Sequence, residues 1–255
     1  MKKMKNNYIN IKESEKDKFI YRITSFERMA EMFLTEKMTL VKPKKWEDPF
    51  ENFILNYFEE EDSREDFDFN FRNSLYANCW TFHNRSDALW RIYSPDKYSV
   101  CVRTTIRKLF EALFEQGGHL KNNTCFIGKV EYSNQSEMYK KLQLFKTQFD
   151  SKPKGSGLAE TILFKRTAFQ HECEVRLIYQ ELFPYEKEIF QFDFYPDLIF
   201  DQITFDPRMG KNTYKALSTY LRENFNFNGK VMQSSLYGKP EKIFKKKINK
   251  INNSS

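Results

Sequence analysis

The alternation in HECEVRLIY, residues 171–179, limits the folds open to this chain more than any other feature. Glu172, Glu174 and Arg176 interleave with Cys173, Val175 and Leu177. Period-two patterning marks a strand, because successive side chains of an extended chain point to opposite faces. The charged set then shares one face and its neighbours pack beneath the sheet. Residues two apart on one face stand roughly 7 Å from each other, and two carboxylates there repel by about 2 kcal/mol at an effective dielectric of about 20. A wet surface screens most of that cost. A cleft converts it into a raised carboxyl pKa unless a cation intervenes. Arg176 is spaced to compensate Glu174, and Lys165 can approach from the preceding segment. A solvated strand face and the floor of a site are both compatible with this pattern.

The rest of the chain reads as short helices around further strands. TSFERMAEMFLTEKMTLV predicts a helix capped by Thr24 or Ser25, with Phe26, Met29, Met32 and Phe33 on one side, then a strand at Met38–Val41. Strands are expected at 75–82, 98–105 and 125–132. Between the first two, Ser86 caps a helix that turns Leu89, Trp90 and Tyr93 inward; after the second, Thr104 or Thr105 caps another. Residues 51–75 read as partly helical with the acidic run EEEDSREDFD exposed, residues 135–149 as helix-rich, and SKPKGSG (151–157) as a loop. IFQFDF, IFDQITFDP and GKVMQSSLYG supply late strands, and NTYKALSTYLREN an amphipathic helix. Strands in close succession pair antiparallel, so the expected fold class is α+β: one domain, a mostly antiparallel sheet and surrounding short helices. The expected boundaries are a charged extension over 1–18, the domain over 19–240 and a basic tail over 241–255.

Composition narrows the chemistry. Four cysteines without a CxxC pair and three dispersed histidines give no metal-ligand spacing, so no metal is expected at the site. The N-terminus lacks the apolar stretch of a signal peptide, and no run approaches eighteen apolar residues, so a cytoplasmic protein without a membrane span is expected. The net charge of +7 gathers at KPEKIFKKKINK, a solvated end or a contact for polyanions. P-loop, GxGxxG, GxSxG and HExxH motifs are absent. Three clusters join the acid pair as candidates. Arg22 in YRITS is costly to bury without an anion, whether Asp48 or Glu51 or the phosphate or carboxylate of a ligand. WEDPFE offers Glu47, Asp48 and Glu51 on a turn that Trp46 and Phe50 anchor. CWTFHNRSDALW places Thr81 at a strand end, with Trp80, Phe82 and Trp90 as core or as walls for a flat ligand.

YRITSFERMAEMFLTEKMTLVKPKKWEDPFEN, CWTFHNRSDALWRIYS, LFKRTAFQHECEVRLIY and SSLYGKP together resemble the bacterial domain-of-unknown-function family 2971, over about residues 19 to 240. Members often read NDPFE where this chain has WEDPFE, which leaves Asp48 and Glu51 in place. The motif order is also similar to that of ADP-ribosyltransferases: Arg22 early, Thr81 in the middle with Thr104 as competitor, and Glu172-Cys173-Glu174 late. That resemblance implies an ADP-ribosyltransferase-like fold and NAD as substrate. Glu174 would stabilise the ribose cation, Glu172 would orient or deprotonate the acceptor, Arg22 would hold the pyrophosphate or ribose, and Tyr21 and Trp90 would contact rings. It further implies a protein or nucleic-acid acceptor, or water, and a toxin or anti-phage defence effector with a neutralising partner. Two other classes stand beside it. One is a metal-dependent nuclease built on Asp48, Glu51, Glu172 and Glu174 with Lys165 on phosphate; the other is a non-catalytic nucleic-acid-binding module using the basic end.

Overall fold

The computed structural model describes residues 7–46, 48–52, 74–148, 155–182 and 187–238. Most of the acidic stretch between 51 and 75, the start of the SKPKGSG loop, the first six residues and the basic tail lie outside the described residues. Twelve strands are found among the described residues: β1 (Tyr8–Ile9), β2 (Phe19–Ser25), β3 (Lys37–Val41), β4 (Leu75–Thr81), β5 (Ser99–Thr105), β6 (Cys125–Lys129), β7 (Glu131–Ser133), β8 (Phe164–Arg166), β9 (Glu174–Gln180), β10 (Ile189–Asp193), β11 (Gln202–Phe205) and β12 (Lys230–Gln233). One sheet runs β1-β6-β9-β4-β2-β5-β11-β12, with β3 and then β10 branching from β4, and a separate pair joins β7 to β8. Its neighbours are antiparallel except β1–β6 and β11–β12. The fold class is therefore α+β with a mostly antiparallel sheet, as the strand succession predicts.

The sheet forks at β4. Strand β2 meets it through a single pair, Tyr21 with Thr81, and β3 meets its other end through Val41 with Ala77. Beyond those pairs, both arms of the fork are bridged by side chains. Arg22 Nη1 donates to the Cys79 carbonyl at 2.8 Å, and Asn78 Nδ2 donates to the Thr39 carbonyl at 3.4 Å. Backbone acceptors left by diverging strands need such partners, since an unpaired buried carbonyl is costly.

Both faces of the sheet are packed. On one, Ile20, Val100, Val102, Trp80, Val175 and Leu177 meet Leu109, Phe110 and Leu113 of the helix Ile106–Gln116. On the other, Leu75, Ala77, Phe126 and Ile178 meet Leu158, Ile162 and Leu163. Three helix starts follow the capping rule, and the open alternatives resolve to Ser25 and Thr105, whose hydroxyls accept from Arg28 N and Lys108 N. Ser86 caps the helix Asp87–Tyr93 by accepting from Leu89 N. No helix among the described residues is long and apolar enough to cross a membrane.

Three local expectations are corrected. The strand expected over 125–132 breaks at Val130 into β6, in the large sheet, and β7, in the small one. Tyr93, expected to pack inward with Leu89, is 47% exposed because it ends its helix. The strand expected from residue 171 begins only at Glu174: Glu172 closes a 3-10 turn, Thr167–Glu172, and Cys173 is left-handed at φ 44°.

Gly128 shows how closely the second face is packed. A Cβ there would sit 2.2 Å from Leu163 Cδ1 and 2.9 Å from Cδ2, and Leu163 is fully buried. Gly128→Ala should cost about 1–3 kcal/mol by overpacking, read as a lowered urea midpoint with an unchanged slope; an unshifted midpoint would contradict that packing.

Candidate active site

The acid pair lies inside the protein. Glu172 and Glu174 are buried, and both carboxylates reach the ammonium of Lys165, Glu172 at 2.5 Å and Glu174 at 2.7 Å. Glu51 joins them at 3.1 Å. The other oxygen of Glu174 accepts from Arg176 Nε at 2.8 Å, and Arg176 also pairs with Glu51 and donates from Nη1 to the Ile162 carbonyl at 2.6 Å. Arg176 is completely buried, with the Trp46 ring 4.2 Å from its Cζ. The Phe169 ring lies 4.7 Å from Lys165 Nζ.

The convergence is real, although strand alternation is not its cause. Glu172 does not share the β9 face by periodicity; the left-handed Cys173 turns the chain so that its carboxyl returns beside that of Glu174. Thr81 holds this turn. Its hydroxyl donates to the Glu172 carbonyl at 2.6 Å and accepts from His83 N at 3.0 Å, while Phe82 N donates to the Cys173 carbonyl. The small β7–β8 pair supplies one of the cations, Lys165, and a clamp. Tyr132 stands opposite Lys165 in that ladder, and its hydroxyl accepts from Glu174 N at 2.8 Å.

Charge counting explains the titration. Three carboxylates and two cations leave one negative charge in a buried cluster, and a proton on Glu172 neutralises it. Burial pushes the Glu172 carboxyl up to about 8, and its hydrogen bond with Glu174 adds to this against the pull of Lys165. Burial also works to raise Glu174, but Arg176, Glu172 and Lys165 outweigh it and hold that carboxylate far below the usual range. Lys165 stays charged because Glu174 overrides the desolvation that would lower it. One acid is thus poised to exchange a proton near neutral pH while its neighbour remains ionised, an arrangement typical of acid–base sites.

Arg22 pairs with neither Asp48 nor Glu51. Asp48 binds Arg166, Nη2 to Oδ1 at 2.9 Å, and Glu51 belongs to Lys165 and Arg176. Arg22 makes no ion pair with a described residue; its guanidinium sits in the sheet fork on the Cys79 carbonyl, where burial lowers its pKa. One strand, β4, separates it from the acids on β9, and Cys79 lies directly opposite Arg176. Tyr21 lies opposite Thr81, which lies opposite Glu174, so the three share one row of the sheet. Trp90 is 2% exposed and offers no open ring face. Tyr93 of that helix is only partly exposed, and burial of its phenol, then Glu172 and Glu174, raise its pKa. Thr104, fully buried, donates to the Ile199 carbonyl and serves the fold. Sequence reasoning missed Tyr93 and Tyr132. The first was hidden by its helical spacing from Leu89, the second by the break at Val130.

Removing the central cation should be severe. Lys165→Met should destabilise by about 3–5 kcal/mol, because it strands buried carboxylates, as chemical denaturation would register; a loss below about 1 kcal/mol would mean that the cluster is solvated. The pH dependence has a defined sign. Folding raises the Glu172 pKa from 4.5 to about 8, so its contribution is complete below pH 4.5 and is lost as pH climbs to about 8. Thermal midpoints of Glu172→Gln should fall less than those of wild type across that window. Equal slopes would remove Glu172 as the titrating group.

Residues 89–177 match the family model described as "Protein of unknown function (DUF2971)". That span includes Trp90, Lys165 and the Glu172–Arg176 segment and is narrower than the resemblance over about 19 to 240. No curated protein sequence matches the chain. Among solved structures, the fold is remotely similar to Thermus sp. 2.9 DarT in complex with carba-NAD+, at 10% identity and a TM-score of 0.38, with 86% of this chain and 96% of that one covered. The same protein in complex with NAD+ matches at 11% identity with equal coverage and score. Its complex with ADP-ribosylated ssDNA matches at 11% identity and a TM-score of 0.38, over 86% and 94% of the two chains.

Proposed function

We propose that this protein is an NAD-using enzyme that breaks the bond between nicotinamide and ribose and passes ADP-ribose to a protein or nucleic-acid acceptor or to water. One observation carries the reading: a buried acid pair with divergent pKa values stands one strand from Arg22, a guanidinium that no carboxylate of the described residues neutralises. The order of Arg22, Thr81 and Glu172-Cys173-Glu174 along the chain agrees with it.

The chemistry follows from charge. Nicotinamide departs with the bonding pair and leaves a cationic ribose, as in glycoside cleavage. Glu174, fixed by Lys165 and Arg176, supplies a permanent negative charge that favours the ribose cation more than the ground state, in which the positive charge lies on the nicotinamide ring. Glu172, in its ionised form, takes the proton of the attacking acceptor; a base with a pKa near the working pH suits this step. Arg22 holds the pyrophosphate or ribose in the sheet fork. Tyr21 in the Thr81 row and Tyr93 beside the acids offer ring contacts, a role for which Trp90 is too buried. Thr81 acts on the cofactor indirectly, by fixing Glu172. No step calls for a metal, and in the nuclease alternative the carboxylates would have to leave Lys165 and Arg176 to bind one. A role as toxin or defence effector in the cytoplasm, restrained by a neutralising partner, is the cellular setting that such an activity suggests.

Nicotinamide release from NAD by the purified protein in EDTA tests the reading. Wild type should release it, Glu174→Gln should be slower by 10²–10³-fold or so, and the wild-type rate should rise with pH toward about 8 as Glu172 ionises. If the protein neither binds nor cleaves NAD and instead cuts nucleic acid only with magnesium, the nuclease reading replaces this one.

A further inference from the structure

The row that contains Glu174 continues past Tyr21. Strand β2 places Tyr21 opposite Arg103 on β5, and β11 places Gln202 opposite Arg103 on its other side. Directly opposed residues share a face of the sheet, so Glu174, Thr81, Tyr21 and Arg103 lie on one face in consecutive strands. With neighbouring strands about 4.8 Å apart, the backbone at Arg103 lies roughly 14 Å from that at Glu174.

Arg103 is unlike the other arginines of the row's surroundings. Its Nε is buried and has no hydrogen-bond partner, and its guanidinium makes no ion pair with a described residue. The nearby Asp201, whose N donates to the Arg103 carbonyl, gives its carboxylate to Lys108 at 2.9 Å. The guanidinium instead lies over the Phe19 ring, 4.1 Å from its centroid, and Phe19 is 44% exposed. Buried donors in folded proteins are normally satisfied, so an orphaned one needs an explanation. A guanidinium stacked on an aromatic ring is well suited to bind a second flat ring and to donate hydrogen bonds to phosphate oxygens.

We propose that Arg103 and Phe19 form a second subsite on the same sheet face, which takes the adenosine-phosphate half of the dinucleotide. The proposal rests on the NAD reading of the acid pair and extends it across the sheet. With the nicotinamide ribose at Glu174, an extended dinucleotide passes Tyr21 and brings its other base to the Arg103–Phe19 stack. Arg103 then recognises the distal end of the ligand from the face that carries Glu174.

Calorimetric titration of wild type, Arg103→Met, Arg103→Lys and Phe19→Leu with NAD, nicotinamide mononucleotide and AMP tests this. Arg103 Nε has no hydrogen-bond partner to lose and Phe19 is exposed, so the variants should fold; circular dichroism checks it. Arg103→Met should weaken NAD and AMP at least tenfold and leave nicotinamide mononucleotide unchanged. Arg103→Lys keeps the charge but loses the planar stack and should fall between, and Phe19→Leu should mirror it. Unchanged NAD and AMP affinities in Arg103→Met would overturn the subsite while leaving the NAD reading intact. AMP binding that depends on Arg103, without binding of NAD or nicotinamide mononucleotide, would keep the subsite and end the NAD reading. Binding of none of the three by wild type would end both.

Discussion

The ammonium of Lys165 ties together chain segments that are far apart in sequence. Glu51 comes from the turn Pro49–Asn52, Glu172 from the turn Thr167–Glu172, Glu174 from the first position of β9, and Lys165 itself from the small β7–β8 pair. Its ammonium donates to Glu172 and Glu174 and pairs with Glu51 at 3.1 Å. Arg176, opposite Cys79 on β4, holds two of the same acids from below. A buried pair of this kind adds little net stability over an apolar substitute, but it fixes geometry and makes removal of one partner costly. The cluster is therefore better understood as an arrangement of charge than as a source of stability.

That arrangement separates two chemically identical side chains. Glu174 has both oxygens bound by cations, whereas Glu172 faces Lys165 alone and shares a hydrogen bond with its neighbour. Their pKa values move in opposite directions for that reason. The left-handed backbone of Cys173 is a conformation that a non-glycine residue adopts at some cost, and it sits at the point where the two carboxyls are brought together. The clamps on either side, Thr81 on the Glu172 carbonyl and Tyr132 on the Glu174 amide, keep the turn from relaxing.

Much of the fold was legible because it rests on local rules. The strands at 75–81, 99–105 and 189–193 follow from alternation and flanking turn residues, and Ser25, Ser86 and Thr105 cap helices as their side chains require. The parts that were not legible depend on tertiary partners. Nothing local distinguishes Val130 from a strand interior; the chain breaks there because Val130 N bonds the Glu174 carbonyl while Glu131 N turns to Leu163. The acid pair was visible as E-x-E, and Arg176 and Lys165 were visible as its compensating charges. The true neighbours of Arg22 were not, since proximity in sequence pointed to Asp48 and Glu51, which the fold gives to Arg166, Lys165 and Arg176. Arg103 carries no sequence signal at all: its significance comes from strand register.

The reading of the site turns on whether a dinucleotide binds between the acid pair and the sheet fork that holds Arg22. A crystal structure of the protein with a non-cleavable NAD analogue addresses it most directly. The nicotinamide ribose should lie against Glu172 and Glu174, with the pyrophosphate at Arg22. An analogue bound elsewhere, with Lys165 and its three carboxylates untouched and walled off from it, would contradict the account and reduce the cluster to a structural knot.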